Sequence, residues 1–168
     1  MRLECGCPSE YPDWDDQDLD LGGQLAHILP IPTFFHMPLA YTAYLKSQWQ
    51  EITGLDLREK WPGMILTQTG FLRGRIISLL ENEQTMSRRV KPLPLSFNVA
   101  GKLHDGGIGT MRKSVLELQA RLFDSGRMPK ELYISHLTCL RCEEQRGGEK
   151  ILLLRRWVDS PKLKAKIK

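Results

Sequence analysis

The chain lacks a long uninterrupted apolar run. The most apolar stretch of its 168 residues, Leu25 to Leu45, is broken by His27, His36 and three prolines. A membrane-spanning helix needs about 20 mostly apolar residues without such breaks. The first residues also lack the basic and apolar regions of a secretory signal. We therefore expect no membrane partner and a cytoplasmic location, where thiols stay reduced.

Several sequence signatures of catalysis and nucleotide binding are missing as well. The chain contains no Gly-x-x-x-x-Gly-Lys-Ser/Thr loop, no Gly-x-Ser-x-Gly elbow and no His-Glu-x-x-His pair. Asp16, Asp18 and Asp20 alternate like the start of a calcium loop, but Leu21 occupies the position of the turn glycine. These absences exclude P-loop, serine-elbow, zincin and EF-hand sites.

Composition predicts one globular domain over residues 1–168, since 41% of the residues are hydrophobic and 26% are charged. The net charge of +4 is unevenly distributed. Residues 1–21 carry seven acidic side chains and one basic side chain, whereas the remainder carries 23 basic and 13 acidic. Residues 159–168 form a lysine-rich tail. This basic surplus suggests an anionic or nucleic-acid partner, and a merely solvated tail is the alternative.

The pattern of apolar residues predicts an α/β fold, with α+β as the alternative: a mixed sheet, about three packed helices and an irregular N-terminal arm over residues 1–37. Proline at the first helical turn, apolar spacing and a glycine stop predict helices at 38–52, from 70 onward and at 110–126. Short or alternating apolar runs predict strands at 64–67, 95–99, 131–137 and 149–158. The last two strands are expected to form a β-hairpin.

The four cysteines occur as two close pairs at opposite ends of the chain: Cys5 with Cys7, and Cys139 with Cys142. A Cys-x-x-Cys turn directs two sulfurs to the same side, and four thiolates are a preferred structural ligand set for zinc. We therefore predict a zinc site formed by both pairs, with His136 as a reserve ligand. An iron–sulfur cluster, two disulfides, inert thiols and a redox-active pair stay open as alternatives.

A glycine-rich segment follows the predicted strand at 95–99. Gly107 and Gly109 precede Thr110, the expected N-cap of a helix, and Arg112 and Lys113 lie in its first turn. Helix N-termini attract anions, and glycines allow a phosphate to approach closely. The segment therefore predicts an anion site, and a flexible strand–helix connection is the alternative.

The cysteine pairs and the basic surplus together predict a small zinc-binding domain with a binding or regulatory role towards an anionic or nucleic-acid partner. Histidines within apolar surroundings suggest an alternative function, that of a small hydrolase. His27 and His36 flank an apolar segment, and either could act as a base beside a carboxylate in a pocket under the N-terminal arm. The candidate catalytic residues are His27, His36, Tyr41, Asp18 and Asp20. The alternative is a core histidine bonded to a backbone carbonyl.

Overall fold

A computed structural model describes residues 1–81 and 87–167. Within them one sheet of nine strands is accompanied by three helices, and every strand pair is antiparallel. The strands are β1 Asp18–Asp20, β2 Leu25–Phe34, β3 Met37–Pro38, β4 Ile65–Gln68, β5 Arg73–Leu79, β6 Val90–Pro92, β7 Asn98–Asp105, β8 Arg127–His136 and β9 Lys150–Asp159. The helices are α1 Tyr41–Gly54, α2 Arg112–Asp124 and α3 Pro161–Lys166.

The sheet is built from two halves with the same β-α-β-β order. The first half is β2-α1-β4-β5, the second is β7-α2-β8-β9, and in each the first strand pairs with the last. The two halves join where β4 pairs with β8, at Thr67 opposite Ile134. Because the equivalent strands β4 and β8 run antiparallel, equivalent connections of the two halves lie at opposite ends of the sheet.

Each long helix covers its own half of one sheet face. The α1 residues Tyr41, Tyr44 and Leu45 pack on a small apolar cluster of β2 and β5. The α2 residues Leu118 and Leu122 pack on buried residues of β7 and β9. The helix predicted at 110–126 is confirmed. It buries apolar residues four positions apart, as expected of an amphipathic helix.

The opposite face of the sheet carries the largest apolar cluster, which includes the buried Phe97 and Tyr133. The N-terminal arm packs against it through Tyr11 and Trp14. Gly101 is required here, because a Cβ at that position would lie 2.0 Å from the carbonyl oxygen of Trp14. The arm is therefore part of the fold.

Ion pairs explain the acidic character of this arm. Asp16 lies 3.4 Å from Lys102 and 3.1 Å from Arg121, and Asp18 lies 2.7 Å from Arg127. The acidic N-terminal segment thus lies along basic side chains of β7, α2 and β8. The uneven charge of the sequence reflects contacts within the chain itself.

The predicted fold class is confirmed, but the sheet is not mixed: all strand pairs of the described residues are antiparallel, which places the fold on the α+β side. The expectation of an irregular segment over 1–37 is wrong for its second half, which contains β1, β2 and β3. Pro30 and Pro32 suggested irregular structure, but their backbone nitrogens face the side of β2 away from β5. Odd-numbered residues such as Thr33 direct their N–H to the β5 side, where Thr33 donates to Leu72. Even-numbered residues such as Ile28, which donates to Arg89, direct it to the outer side. Proline is tolerated at such an edge, since no ladder hydrogen bond is lost.

The helix predicted from residue 70 is also wrong, since residues 73–79 form the strand β5. Its residues Ile76, Ile77 and Leu79 are all buried, as is Leu80 directly after it. Both faces of this strand are therefore covered, and no alternation marked it. The strand expected at 95–99 begins at residue 98, and the C-terminal hairpin of β8 and β9 is confirmed.

Two further predictions concern the first helix and the tail. The helix expected at 38–52 spans Tyr41–Gly54, and its buried residues are Gln48 and Ile52, whereas Trp49 is 47% exposed. The tail forms the short helix α3, and Lys168 lies outside the described residues. None of the helices described is long and apolar enough to cross a bilayer.

Candidate metal centre and the neighbouring cavity

The C-terminal cysteine pair lies in the long connection between β8 and β9. The N–H of Cys142 donates to the carbonyl of Cys139 at 3.0 Å, which closes a tight turn. The N–H of Cys139 in turn donates to the Cys142 sulfur at 3.3 Å. This turn holds the two sulfurs on the same side, as the Cys-x-x-Cys spacing predicted.

The N-terminal pair lies in a second tight turn. Leu3 donates its N–H to the carbonyl of Cys7, and Gly6 donates to Leu3, both at 2.8 Å. Gly6 has a φ of 89°, which favours glycine. The turn packs on Gly63, where a Cβ would lie 2.8 Å from the Gly6 carbonyl oxygen.

Side chains from elsewhere hold these two turns together. Arg2 pairs with Glu59 at 2.6 Å. Arg146 donates to the carbonyl of Pro8 at 2.7 Å and to that of Leu137 at 2.9 Å. Arg146 therefore links the arm that carries the first cysteine pair to the connection that carries the second. Sequence analysis missed Arg146, because only the fold brings both carbonyls to its guanidinium.

The four sulfur atoms of Cys5, Cys7, Cys139 and Cys142 lie within 4.8 Å of one another. A tetrahedral zinc with Zn–S bonds of about 2.3 Å requires sulfurs about 3.8 Å apart, so the group fits such an ion. His136 does not belong to this group.

The pKa values of the thiols differ across the cluster. Burial, together with hydrogen bonds to the other cysteines, raises the pKa of Cys7 well above its ordinary value. A backbone hydrogen bond from Arg141 lowers the pKa of Cys139 to about 7. A bound divalent cation would favour the thiolate form of all four, since metal binding displaces thiol protons.

A cavity of about 640 Å³ lies between this cluster and helix α1. Its apolar wall includes Tyr41, Leu45, Trp49 and Ile65, and the two cysteine turns form the opposite side. The volume falls within the range of small-molecule sites, which are usually apolar with a few polar groups. His136, exposed at the end of β8, also lines it.

The predicted anion-site residues lie at the end of β7, beside the second cysteine turn. A short 3-10 turn spans Ile108–Thr110, and the hydroxyl of Thr110 donates to Gly107 at 3.1 Å. A Cβ at Gly107 would lie 2.2 Å from a carboxylate oxygen of Glu149, so this glycine accommodates a carboxylate. Arg112 and Lys113 are exposed.

Two of the candidate catalytic residues make contacts typical of buried polar groups. His27 is fully buried; its Nε2 lies 3.0 Å from Glu51, and its Nδ1 lies 3.3 Å from the Gln48 amide. Burial lowers the pKa of His27, which disfavours the charged form of the ring. Tyr41 shares a 2.6 Å hydrogen bond with Thr67, and burial raises its pKa.

The other three candidates are at the surface or in backbone contacts. His36 is exposed at a turn. Asp18 pairs with Arg127, and Asp20 accepts the N–H groups of Gly22 and Phe97. No hydrogen bond among the described residues joins two of the five candidates.

Comparison with known proteins places the fold. No family model matches the chain, and no curated protein matches its sequence. The crystal structure of the EcmrR C-terminal domain is similar, with a TM-score of 0.61 at 9% identity, covering 84% of this chain and 96% of that one. A cryo-EM structure of an EcmrR–DNA complex in EcmrR-RPo has a TM-score of 0.56 at 9% identity. There the match covers 85% of this chain and 56% of that chain. This similarity shows the fold alone.

Proposed function

We propose that the chain is a zinc-stabilised binding module with a regulatory role towards nucleic acid. The observation that carries the metal part is the convergence of four cysteine sulfurs within 4.8 Å. Four protein ligands leave no open coordination position, which is typical of structural zinc. Zinc is preferred over an iron–sulfur cluster because nothing else in the sequence suggests electron transfer.

The metal would stabilise a contact between distant parts of the chain. Cys7 and Cys139 are separated by 132 positions. A metal bound only in the folded state contributes its binding free energy to folding. Zinc would therefore hold the N-terminal arm against the β8–β9 connection, where Arg146 already links the two.

Metal analysis of the purified protein tests this part. We expect about one zinc per chain, and cobalt substitution should produce the absorption of a tetrahedral thiolate site. Cys142→Ser should lose the metal, whereas Ser9→Ala, a change in the N-terminal arm that removes no ligand, should retain it. Iron with sulfide in the native protein, or zinc retained after Cys142→Ser, would contradict the proposal.

The nucleic-acid part is supported by charge and by fold similarity. The acidic arm is paired with basic side chains of the body. Elsewhere Arg112, Lys113 and the lysines of α3 are exposed, although Lys113 lies 3.8 Å from Glu117 and Lys164 lies 2.7 Å from Asp159. One structure with this fold is of an EcmrR–DNA complex. The carboxylate of Glu149 beside Gly107 disfavours an anion on the glycine itself, so we assign the contact to Arg112 and Lys113.

Titration of a labelled oligonucleotide at several salt concentrations tests this part. Binding should weaken steeply with salt, since each neutralised phosphate releases counterions. The double variant Arg112→Gln, Lys113→Gln should reduce the slope of log affinity against log salt. Salt-independent binding, or none at low salt, would overturn the nucleic-acid part and leave the metal part intact.

The cavity beside the cysteine cluster favours a second function for the same domain, the binding of a small apolar molecule. Trp49 lines this cavity and offers a fluorescence signal. A probe such as 8-anilinonaphthalene-1-sulfonate should quench Trp49, one of the four tryptophans of the chain. Thr42→Phe, which fills the space from the exposed side of α1 without adding an indole, should abolish this quenching. Unchanged probe binding in this variant would place the probe elsewhere.

The hydrolase hypothesis stays a prediction with less support from the geometry. His27 is enclosed by Gln48 and Glu51 and does not line the large cavity. Its contacts satisfy both ring nitrogens, which is what a structural histidine requires.

A further inference from the structure

Two neighbouring turns at one end of the sheet carry large apolar side chains. The β2–β3 turn presents Phe34, Phe35 and Met37, and the β4–β5 connection presents Phe71 and Leu72. We name these five residues the aromatic tip; each is between 50% and 64% exposed. Turns normally carry polar residues, and an exposed apolar patch marks an interaction site.

The backbone of this tip is also unfavourable. Phe35 and His36 have φ values of 47° and 65°, in the left-handed region that favours glycine and asparagine. Such a conformation costs about 1–2 kcal/mol for an ordinary residue. The exposed Phe35 side chain recovers little of this by burial, so folding alone does not explain a phenylalanine here.

The three rings are held in one cluster. The ring centroids of Phe34 and Phe35 are 4.5 Å apart, and those of Phe35 and Phe71 are 4.6 Å apart. Both pairs meet edge to face, with interplanar angles of 87° and 75°. The tip therefore offers ring surface that is ordered before any partner arrives, which lowers the entropic cost of binding.

Charge restricts the choice of partner. The segments that carry the tip, 31–50 and 61–80, contain no Asp or Glu. Glu131, on the adjacent strand β8, is paired with Arg156 at 3.3 Å. Arg73 lies opposite Pro32, next to the tip, is exposed, and forms no ion pair within the part of the chain that the structure describes. In a symmetric contact between two copies, two such patches would meet with like charges. The complementary partner is anionic and presents flat apolar surface.

We propose that the aromatic tip binds single-stranded nucleic acid, with bases stacked on its phenylalanine rings and Arg73 contacting a phosphate. This inference rests on the nucleic-acid part of the proposed function and adds to it a second contact surface, at the end of the sheet opposite Arg112 and Lys113. Stacking on aromatic side chains contributes about 1–3 kcal/mol per base and tolerates any sequence. A duplex hides its base faces and would contact only the cations.

Fluorescence anisotropy with a labelled oligothymidylate of about 12 nucleotides and a duplex of equal length tests the inference on the full chain. The double variant Phe35→Asn, Phe71→Ser should weaken single-strand binding about tenfold or more, and duplex binding by much less. Asparagine tolerates the left-handed turn, so the fold should persist. Leu95→Ala, which removes an 88% exposed leucine outside the tip, should leave binding unchanged.

Salt dependence separates the two contributions. Arg73→Gln should reduce the slope of log affinity against log salt by about 0.7, the value expected for one phosphate of a single strand. The double variant Phe35→Asn, Phe71→Ser should lower the affinity for the single strand without changing the slope of log affinity against log salt.

The outcomes distinguish this inference from the function on which it rests. Oligonucleotide binding that is unaffected by the double variant would overturn the tip alone. Absence of any oligonucleotide binding by the native protein would overturn both. Loss, in the double variant, of binding to anionic phospholipid vesicles but not to oligothymidylate would assign the tip to a lipid surface and also overturn the inference.

Discussion

The two β-α-β-β halves carry different chemistry in equivalent connections. The β4–β5 connection of the first half, residues 69–72, is short and ends in the exposed apolar side chains of Phe71 and Leu72. The equivalent β8–β9 connection, residues 137–149, is long and carries Cys139 and Cys142. The sheet fixes where each connection begins and ends, and its length and composition determine which kind of site it forms.

The two long helices also differ, in the chemistry of the side chains that they bury. Helix α2 buries Leu118 and Leu122 against its half of the sheet. Helix α1 buries Gln48, which donates hydrogen bonds to the ring and carbonyl of His27, beside Ile52. An apolar contact is tolerant of shape, whereas a buried polar contact is stable only when each group has a partner. Helix α1 thus adds a buried glutamine and its hydrogen bonds to its apolar contacts. The buried residues of α2 are apolar, and its partly buried Ser114 lies 2.8 Å from His104.

The largest effect on stability is expected from removal of the metal, which is bound at the end of the sheet that carries the cysteines. Chelation, or Cys142→Ser, should lower the melting temperature on the order of 10 °C. The double tip variant, Phe35→Asn with Phe71→Ser, should retain the zinc content and the melting transition. Thermal melts followed by circular dichroism, with zinc restored as a control, check this. An unchanged melt after complete chelation would show that the cluster does not stabilise the fold.

The next largest effects are losses of unfolding free energy, expected when a buried side chain of α1 or α2 is removed. Leu122→Ala should cost about 2–5 kcal/mol of unfolding free energy, because it leaves a cavity under α2. Gln48→Ala should cost about 1–3 kcal/mol, since it leaves the buried groups of His27 without a partner. Urea unfolding measures both values. A larger cost at Gln48 than at Leu122 would reverse the proposed contrast.

Acid should destabilise the first half through His27. Burial lowers its folded pKa below the ordinary 6.5, so the unfolded state binds the proton more readily. Stability is therefore complete above about pH 6.5 and declines as the pH falls towards the folded pKa. His27→Gln should flatten this part of the curve of unfolding free energy against pH. An equal decline in the variant would assign the effect to other groups.

The smallest effect compares the backbone of the β2–β3 turn, which belongs to the tip, with that of the β8–β9 connection. Phe35→Gly should raise the unfolding free energy by about 1 kcal/mol, because it removes left-handed strain at the tip. Gly147→Ala, at a φ of 78° with open space around its Cβ, should lower it by a similar amount. Urea midpoints check both signs. A destabilising Phe35→Gly would mean that the exposed ring contributes to folding.

Local signals predicted part of this fold correctly. Helix α2 was predicted from its apolar stripe and Gly126, and the β8–β9 hairpin from two apolar runs around the Cys139 turn. The strand β5 was missed because Ile76, Leu79 and Leu80 fit helical spacing as well as a strand buried on both faces. The strand β2 was missed because edge position, which makes Pro30 acceptable, is a property of the whole sheet.

The sequence by itself determined the chemistry of the cysteine site: two short half-sites, each able to form a turn that directs its sulfurs together. Only the tertiary structure decided that they meet. Contacts across 132 positions depend on the packing of the arm over the sheet and on Arg146, and no local preference encodes such a contact. The same holds for the aromatic tip, since Phe35 and Phe71 become neighbours only when β2 pairs with β5.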